Sequence, residues 1–256
     1  MKKWLKTVYS NALIVVLLGA FQSVSAGVFP GSNWAEATPE SQGIDSTKLD
    51  AAMTYLKGEC GRHGVTQTVV IRNGYMIWKG TDTENKHNVW SVSKSFTSTA
   101  LGLLIDEGKA TLDTKAKDFV GILSSTYPNV SLRHFATMTS GYNANGGDQT
   151  STPFEPSNSL FSPGTKFEYW DAAMNQFGNV LTQIADEPLQ DLFKREIADP
   201  IGMNMANWSW GNWGTLDGHL VNGGAGNKSK GIHITTRELA RFGLLFLNRG
   251  QWDGQQ

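Results

Sequence analysis

Residues 66–80 constrain this chain more than any other stretch. Thr68-Val69-Val70-Ile71 and Tyr75-Met76-Ile77-Trp78 are β-branched and aromatic runs that flank Asn73-Gly74. An Asn-Gly pair suits a two-residue turn in which both positions take positive φ, so the stretch reads as a β-hairpin. Most of the chain beyond residue 80 has helical patterning. Two strands followed by mostly helical sequence do not make a self-sufficient sheet, so more strands are needed from elsewhere in the chain.

Five segments carry helix signals. Residues 44–56 place Leu49, Ala52, Met53 and Leu56 on one face, with Ser46 as the N-cap. A long helix is expected from Ser91 to Gly108, with Val92, Phe96, Ala100, Leu103 and Leu104 facing inward. Residues 171–185 and 189–197 are the next two. Residues 235–248 open on the capping box Thr235/Glu238 and stop before Gly250. Residues 143–164, polar and rich in Gly, Ser and Pro, read as a long loop, a feature that often serves function.

The composition narrows the function. At 256 residues and 39% hydrophobic, the chain can bury a core and is not a disordered polymer. With 22 basic against 23 acidic residues, no excess positive charge exists to hold a phosphate backbone, so nucleic acid is not an expected partner. The one cysteine, Cys60, excludes an internal disulfide framework and a multi-cysteine zinc site, and it reads as an inert thiol. No His-Glu-x-x-His or close His/Asp cluster suggests a metal, and no organic cofactor is implied. Gly223-Gly224-Ala225-Gly226-Asn227-Lys228-Ser229 faintly resembles a phosphate loop. It lacks a glycine directly before the lysine and no clear strand precedes it, so a flexible loop is expected.

The N-terminus has Lys2, Lys3 and Lys6, an apolar run over residues 12–21, and Val24-Ser25-Ala26. This is the pattern of a signal peptide at residues 1–26, leaving a mature domain at 27–256. The apolar run is too short for a bilayer, which needs about 20 residues. The expectation is an exported protein, periplasmic or secreted, with no stable membrane insertion after cleavage.

Ser91-Val92-Ser93-Lys94 has the form Ser-x-x-Lys. Alone it is a weak signal, because 20 serines and 15 lysines give about one such match by chance. Its position at a helix start adds meaning. Residues three apart share a face there, so the lysine can reach the serine hydroxyl. Backbone N–H groups at the helix start favour an alkoxide and disfavour a protonated lysine. A neutral lysine then takes the serine proton, which is the logic of an activated nucleophile.

Three segments in order extend this pattern: residues 90–96 around the Ser-x-x-Lys, residues 130–141, and Ser162-Pro163-Gly164-Thr165-Lys166-Phe167-Glu168-Tyr169. A fourth lies at residues 231–248. Together they resemble the serine β-lactamase and penicillin-binding protein-like superfamily, in particular its class C-like branch of esterases, peptidases and amide hydrolases. The resemblance implies an α/β fold of the α+β kind, an antiparallel sheet flanked by helices beside a mostly helical region. It also implies Ser91 as acylated nucleophile, Lys94 as its activating partner and Tyr169 as proton shuttle. A phenol ionises near pH 10 unperturbed, but a close ammonium favours its anion, so tyrosine and lysine can share a proton. The Ser91 N–H would supply half of an oxyanion hole.

One departure stands out. Many class C-like members carry Tyr-x-Asn, whereas this chain has Tyr169-Trp170-Asp171. An ionised carboxylate cannot donate to a substrate carbonyl, and it stabilises a charged lysine. Asp171 as a substrate-binding residue therefore argues against efficient β-lactam hydrolysis and for an ester or a different amide. Asp171 as the N-cap of its helix is an equally open reading.

Five histidines invite a Ser-His-Asp triad, but the Gly-x-Ser-x-Gly elbow that often accompanies one is absent, and His134 reads as structural. Trp208, Trp210 and Trp213 either line a cleft or cover a core edge. The expected function is an exported serine hydrolase acting on a small ester or amide, cell-wall peptide among the candidates. Alternatives are a non-catalytic cell-wall or partner-binding protein of the same fold, a D-amino-acid peptidase and a weak β-lactamase. The resemblance also implies later strands, a third motif of Lys-Thr-Gly or His-x-Gly type, and a second oxyanion donor. None of these precedes Gln256, so a C-terminally truncated chain is expected, its hairpin without neighbours and its apolar face open.

Overall fold

In the computed structural model, residues 27–256 are described, and the signal-peptide reading of residues 1–26 lies outside them. Asp45, not Ser46, caps the first helix, α1 (Ser46–Glu59). Its carboxylate accepts from the Lys48 N–H at 3.1 Å. The residue with extended backbone is the one whose side chain can fold back onto the third helical amide. The helix lies on the surface, with Met53 buried and Ala52 exposed.

The hairpin forms as read. Strands β1 (Val69–Arg72) and β2 (Tyr75–Lys79) pair antiparallel, Val69 opposite Lys79 and Arg72 opposite Tyr75. Asn73 and Gly74 take φ of 52° and 84°. The expectation of an isolated hairpin with an open apolar face needs correction. Residues 35–37 bond to the free edge of β2 through Met76 N–H to the Ala35 carbonyl (2.9 Å) and Ala37 N–H to the Met76 carbonyl (3.2 Å). Met76 and Ile77 are buried, and Val69 and Ile71 pack partly buried against the core.

After the short strand β3 (His87–Asn88), the chain makes a 3-10 turn at Trp90–Val92 and enters α2 (Ser93–Asp106). The α-helix thus begins two residues later than expected. Phe96, Ala100 and Leu104 are fully buried, while Val92, expected inside, is 43% exposed on the turn. Helix α3 (Leu132–Ala136) carries a capping box between Ser131 and His134. Residues 137–170 contain no helix or strand, only a bridge between Ala144 and Pro156, so the loop is longer than its composition suggested.

Helix α4 (Asp171–Ala185) is buried along nearly its whole length. Helix α5 (Leu189–Phe193) passes into a π-helical turn, Lys194–Ala198, where a uniform helix was expected. Four short strands come next: β4 (Trp208–Trp210), β5 (Asn212–Leu216), β6 (His219–Asn222) and β7 (Ile232–Ile234). Strands β3, β7 and β4 form an antiparallel sheet in that order, and β5 and β6 a second hairpin. Helix α6 (Thr236–Leu247) runs against β1, its first turn capped by Thr235. Glu238 does not complete the expected capping box. The Thr235 N–H goes to the Asn207 carbonyl and Glu238 turns to Arg241.

An aromatic cluster locks these elements together. Phe96 of α2 stacks on Phe242 of α6 at 4.2 Å and meets Phe193 of α5 at 5.0 Å, and Phe193 meets Trp208 of β4 at 5.5 Å. The helix that starts just after Ser91 is therefore anchored to three other elements by its opposite face.

Candidate active site

The turn that carries Ser91 is held in a conformation an L-residue seldom adopts. Trp90 has φ of 48°, and its N–H donates to the Asn88 side chain at 2.9 Å. Such strain persists only where the surroundings enforce it, often at functional sites. The turn presents Ser91 on the surface and sends Lys94, 9% exposed, inward.

Three side chains meet at Ser91. The Tyr169 hydroxyl donates to Ser91 Oγ at 2.6 Å and Lys94 Nζ lies 3.2 Å from the same oxygen. Lys94 Nζ also sits 4.6 Å from the centre of the Tyr169 ring. The other two lysine hydrogens go to Asp171 Oδ1 at 2.8 Å and the Ala225 carbonyl at 2.9 Å. An ammonium has three hydrogens and no acceptor lone pair, and this geometry gives each one an acceptor.

Asp171 is not the cap of α4. It is the first helical residue, and its own N–H donates to the Asp148 carboxylate from the long loop. Its second oxygen, Oδ2, accepts from Gln149 Nε2 at 2.7 Å. Both carboxylate oxygens are thus engaged by the protein, and the pair with Lys94 is buried, 9% and 11% side-chain exposure.

Most of residues 223–229, expected as a flexible loop, is packed inside the molecule. Strand β6 leads directly into it and residues 221–227 are all buried, with Lys228 and Ser229 exposed. Gly226 has φ of 93°, and a Cβ there would collide with the Trp90 carbonyl oxygen, so glycine is required for this backbone to back the turn that carries Ser91. Thr97 donates to the Gly224 carbonyl at 3.0 Å, and the Ile232 N–H donates to Ser93 Oγ at 2.8 Å. Asn175, fully buried on α4, accepts from the Ala225 N–H and Trp213 Nε1, both at 3.2 Å, and donates to Asn227 Oδ1 at 2.9 Å.

The structure thus brings Ser91, Lys94, Tyr169 and Asp171 together. It adds Ala225, Asp148, Gln149, Asn175 and Asn227, which sequence reasoning missed. The spacing of Asn175 one turn after Asp171 and the length of the loop were the only local signals for them. Trp208 and Trp210 are core, while Trp213 is half-buried, edge-on to Phe154 at 6.0 Å. Cys60 is exposed and free. Among the described residues no cluster of His, Cys, Asp and Glu could hold a metal, and no helix is long and apolar enough to cross a membrane.

Comparison with known proteins gives a consistent result. A family model described as Beta-lactamase matches residues 49–256. A beta-lactamase from Pseudomonas fluorescens is 27% identical over 135 residues, 47% of this chain and 36% of that protein. The octameric penicillin-binding protein homologue from Pyrococcus abyssi superposes with a TM-score of 0.60 at 20% identity, over 81% of this chain and 57% of that one. EstCE1, a hydrolase with promiscuous acyltransferase activity, superposes with a TM-score of 0.58 at 16% identity, over 82% of this chain and 75% of that one. The chain spans about a third of the length of the curated relative and little more than half of the Pyrococcus homologue.

Proposed function

The chain belongs to the beta-lactamase family, and from that premise we propose that it is a serine hydrolase cleaving an ester or amide through an acyl-enzyme on Ser91. The observation that carries this reading is the convergence of the Tyr169 hydroxyl and Lys94 Nζ on one oxygen, at 2.6 and 3.2 Å.

The contacts of Lys94 refine the roles. With Asp171 and the Ala225 carbonyl as acceptors, Lys94 acts as a fixed ammonium rather than as the base the motif alone suggests. Tyr169, as phenolate stabilised by that ammonium, takes the Ser91 proton as Oγ bonds to the substrate carbonyl carbon. The Ser91 N–H donates to the oxyanion. Tyr169 then gives the proton to the departing alcohol or amine, leaving the acyl-enzyme. Water attacks the acyl carbon as its proton passes to Tyr169, and Tyr169 hands that proton to Ser91 Oγ as the C–O bond breaks and the acid leaves.

Asp171 positions Lys94 in this scheme rather than contacting substrate, because its carboxylate is buried, one oxygen on Lys94 and the other on Gln149. A site without an amide donor there favours esters or simple amides, cell-wall peptide included, over β-lactams. The basic and apolar N-terminal pattern supports export to a periplasm or beyond.

A fluorophosphonate probe should add one adduct to the wild type, and p-nitrophenyl butyrate should be turned over. Ser91→Ala should abolish both. Equal labelling of the variant would overturn the assignment. Capture of cell-wall fragments with neither adduct nor turnover would favour a binding protein of the same fold. Parallel rates on esters, D-peptides and a cephalosporin define the substrate class.

A further inference from the structure

We propose that Gln149 is a positioning residue of this site, holding the Asp171 carboxylate in register with Lys94; the proposal rests on the hydrolase reading above. Gln149 lies on the long loop, exposed as a residue, with its amide turned onto the start of α4. Its Nε2 donates to Asp171 Oδ2 at 2.7 Å and to Asp148 Oδ2 at 3.2 Å, and its Oε1 accepts from Asn227 Nδ2 at 3.4 Å.

The chemistry of a primary amide suits this place. Asp148 and Asp171 are brought together because the Asp148 carboxylate accepts from the Asp171 N–H. Two like charges so close need a donor between them, and an amide nitrogen carries two hydrogens with no net charge. A lysine or arginine at 149 would compete with Lys94 for Asp171, and a glutamate would add a third negative charge. The amide oxygen meanwhile ties the loop to Asn227, and so to the segment whose Ala225 carbonyl holds Lys94. The charged groups facing Asp171 are then Lys94 from α2 and Asp148 from the loop, with the Tyr169 hydroxyl two residues ahead of it.

The consequence is a kinetic and spectroscopic signature. Removing the Gln149 donor leaves Asp171 Oδ2 facing the Asp148 carboxylate unbridged, so Asp171 turns away and Lys94 loses its acceptor at 2.8 Å. Ser91 labelling then slows. The loop position allows substitution without disturbing a helix or strand.

The test uses the whole chain with Gln149→Leu and Gln149→Glu. Fluorophosphonate labelling of Ser91 is timed at pH 8, and the Asp171 carboxyl shift is followed by carbon-13 NMR, assigned with Asp171→Asn. Gln149→Leu should label about tenfold more slowly. Gln149→Glu, which sets a third negative charge beside Asp148 and Asp171, should label more slowly still. Both variants should move the Asp171 carboxyl signal. Labelling as fast as the wild type in both variants, or an Asp171 signal unmoved in both, would overturn the proposal. If the wild type carries no adduct on Ser91 at all, the hydrolase reading fails, while the Asp171 signal still decides the role of Gln149.

Discussion

Lys94 has three hydrogens and three acceptors: one from its own turn, one from the start of α4 and one from the segment after β6. A buried ammonium satisfied this way has little freedom. Removing one partner of such a pair costs about 3–5 kcal/mol, because the other charge stays buried and uncompensated. His134 illustrates the opposite case, a residue whose ionisation opposes the fold. Its Nδ1 accepts from the Ser131 N–H at 3.2 Å and closes the capping box of α3. Burial, then the nearby Lys115 and Arg133, hold its pKa below the ordinary histidine value. A histidine depressed in the folded state binds fewer protons folded than unfolded, so its stability contribution is present above pH ~6.5 and declines as pH falls below that. His134→Gln should therefore lose less melting temperature than the wild type between pH 7 and pH 5. Identical pH slopes for the two proteins would contradict this account.

At the scale of elements, two turns carry the same chemistry with different legibility. Asn73-Gly74 is readable as a hairpin because alternating strand residues flank it. Asp217-Gly218 takes φ of 47° and 92° and joins β5 to β6 in the same way, yet it is hidden among tryptophans and glycines. Strands β3, β4 and β7 have two or three residues each, too few for any period to register. The glycines after β6 are legible as a cluster but not as a buried support, because what they support lies more than 130 residues earlier in the chain. Gly226→Ala tests that support. It places a Cβ against the Trp90 carbonyl at a φ that disfavours alanine, so stability should fall by more than about 1 kcal/mol, with at least tenfold slower Ser91 labelling. Gly243→Ala is the matched control. It lies exposed inside α6 with nothing near its Cβ position, and should gain up to about 1 kcal/mol. Chemical denaturation of the two variants beside the wild type decides the point.

Across the whole molecule, one buried cation ties distant stretches together. Arg241 is 2% exposed and donates to the carbonyls of Pro30 (3.1 Å), Gly31 (2.6 Å) and Ile201 (3.1 Å), while pairing with Glu238 at 3.1 Å. Burial holds its pKa below the usual arginine value, with Glu238 opposing that shift. Arg241→Ala should cost about 3–5 kcal/mol, and residues 27–34 should become the first site of limited proteolysis. A melting temperature within a degree of the wild type would rule this out. Helix positions, the first hairpin and the Ser91–Lys94 spacing are legible in the sequence because caps, periodicity and turn chemistry act within about four residues. Tyr169 is found through resemblance rather than through any local pattern. The tertiary structure alone decided which acceptors hold Lys94. Asp171 and Ala225 are 77 and 131 residues away in sequence and reach it only once α2, α4 and the segment after β6 are packed. A buried charge takes its partners from whatever the core brings close, and no local pattern in the chain encodes that proximity.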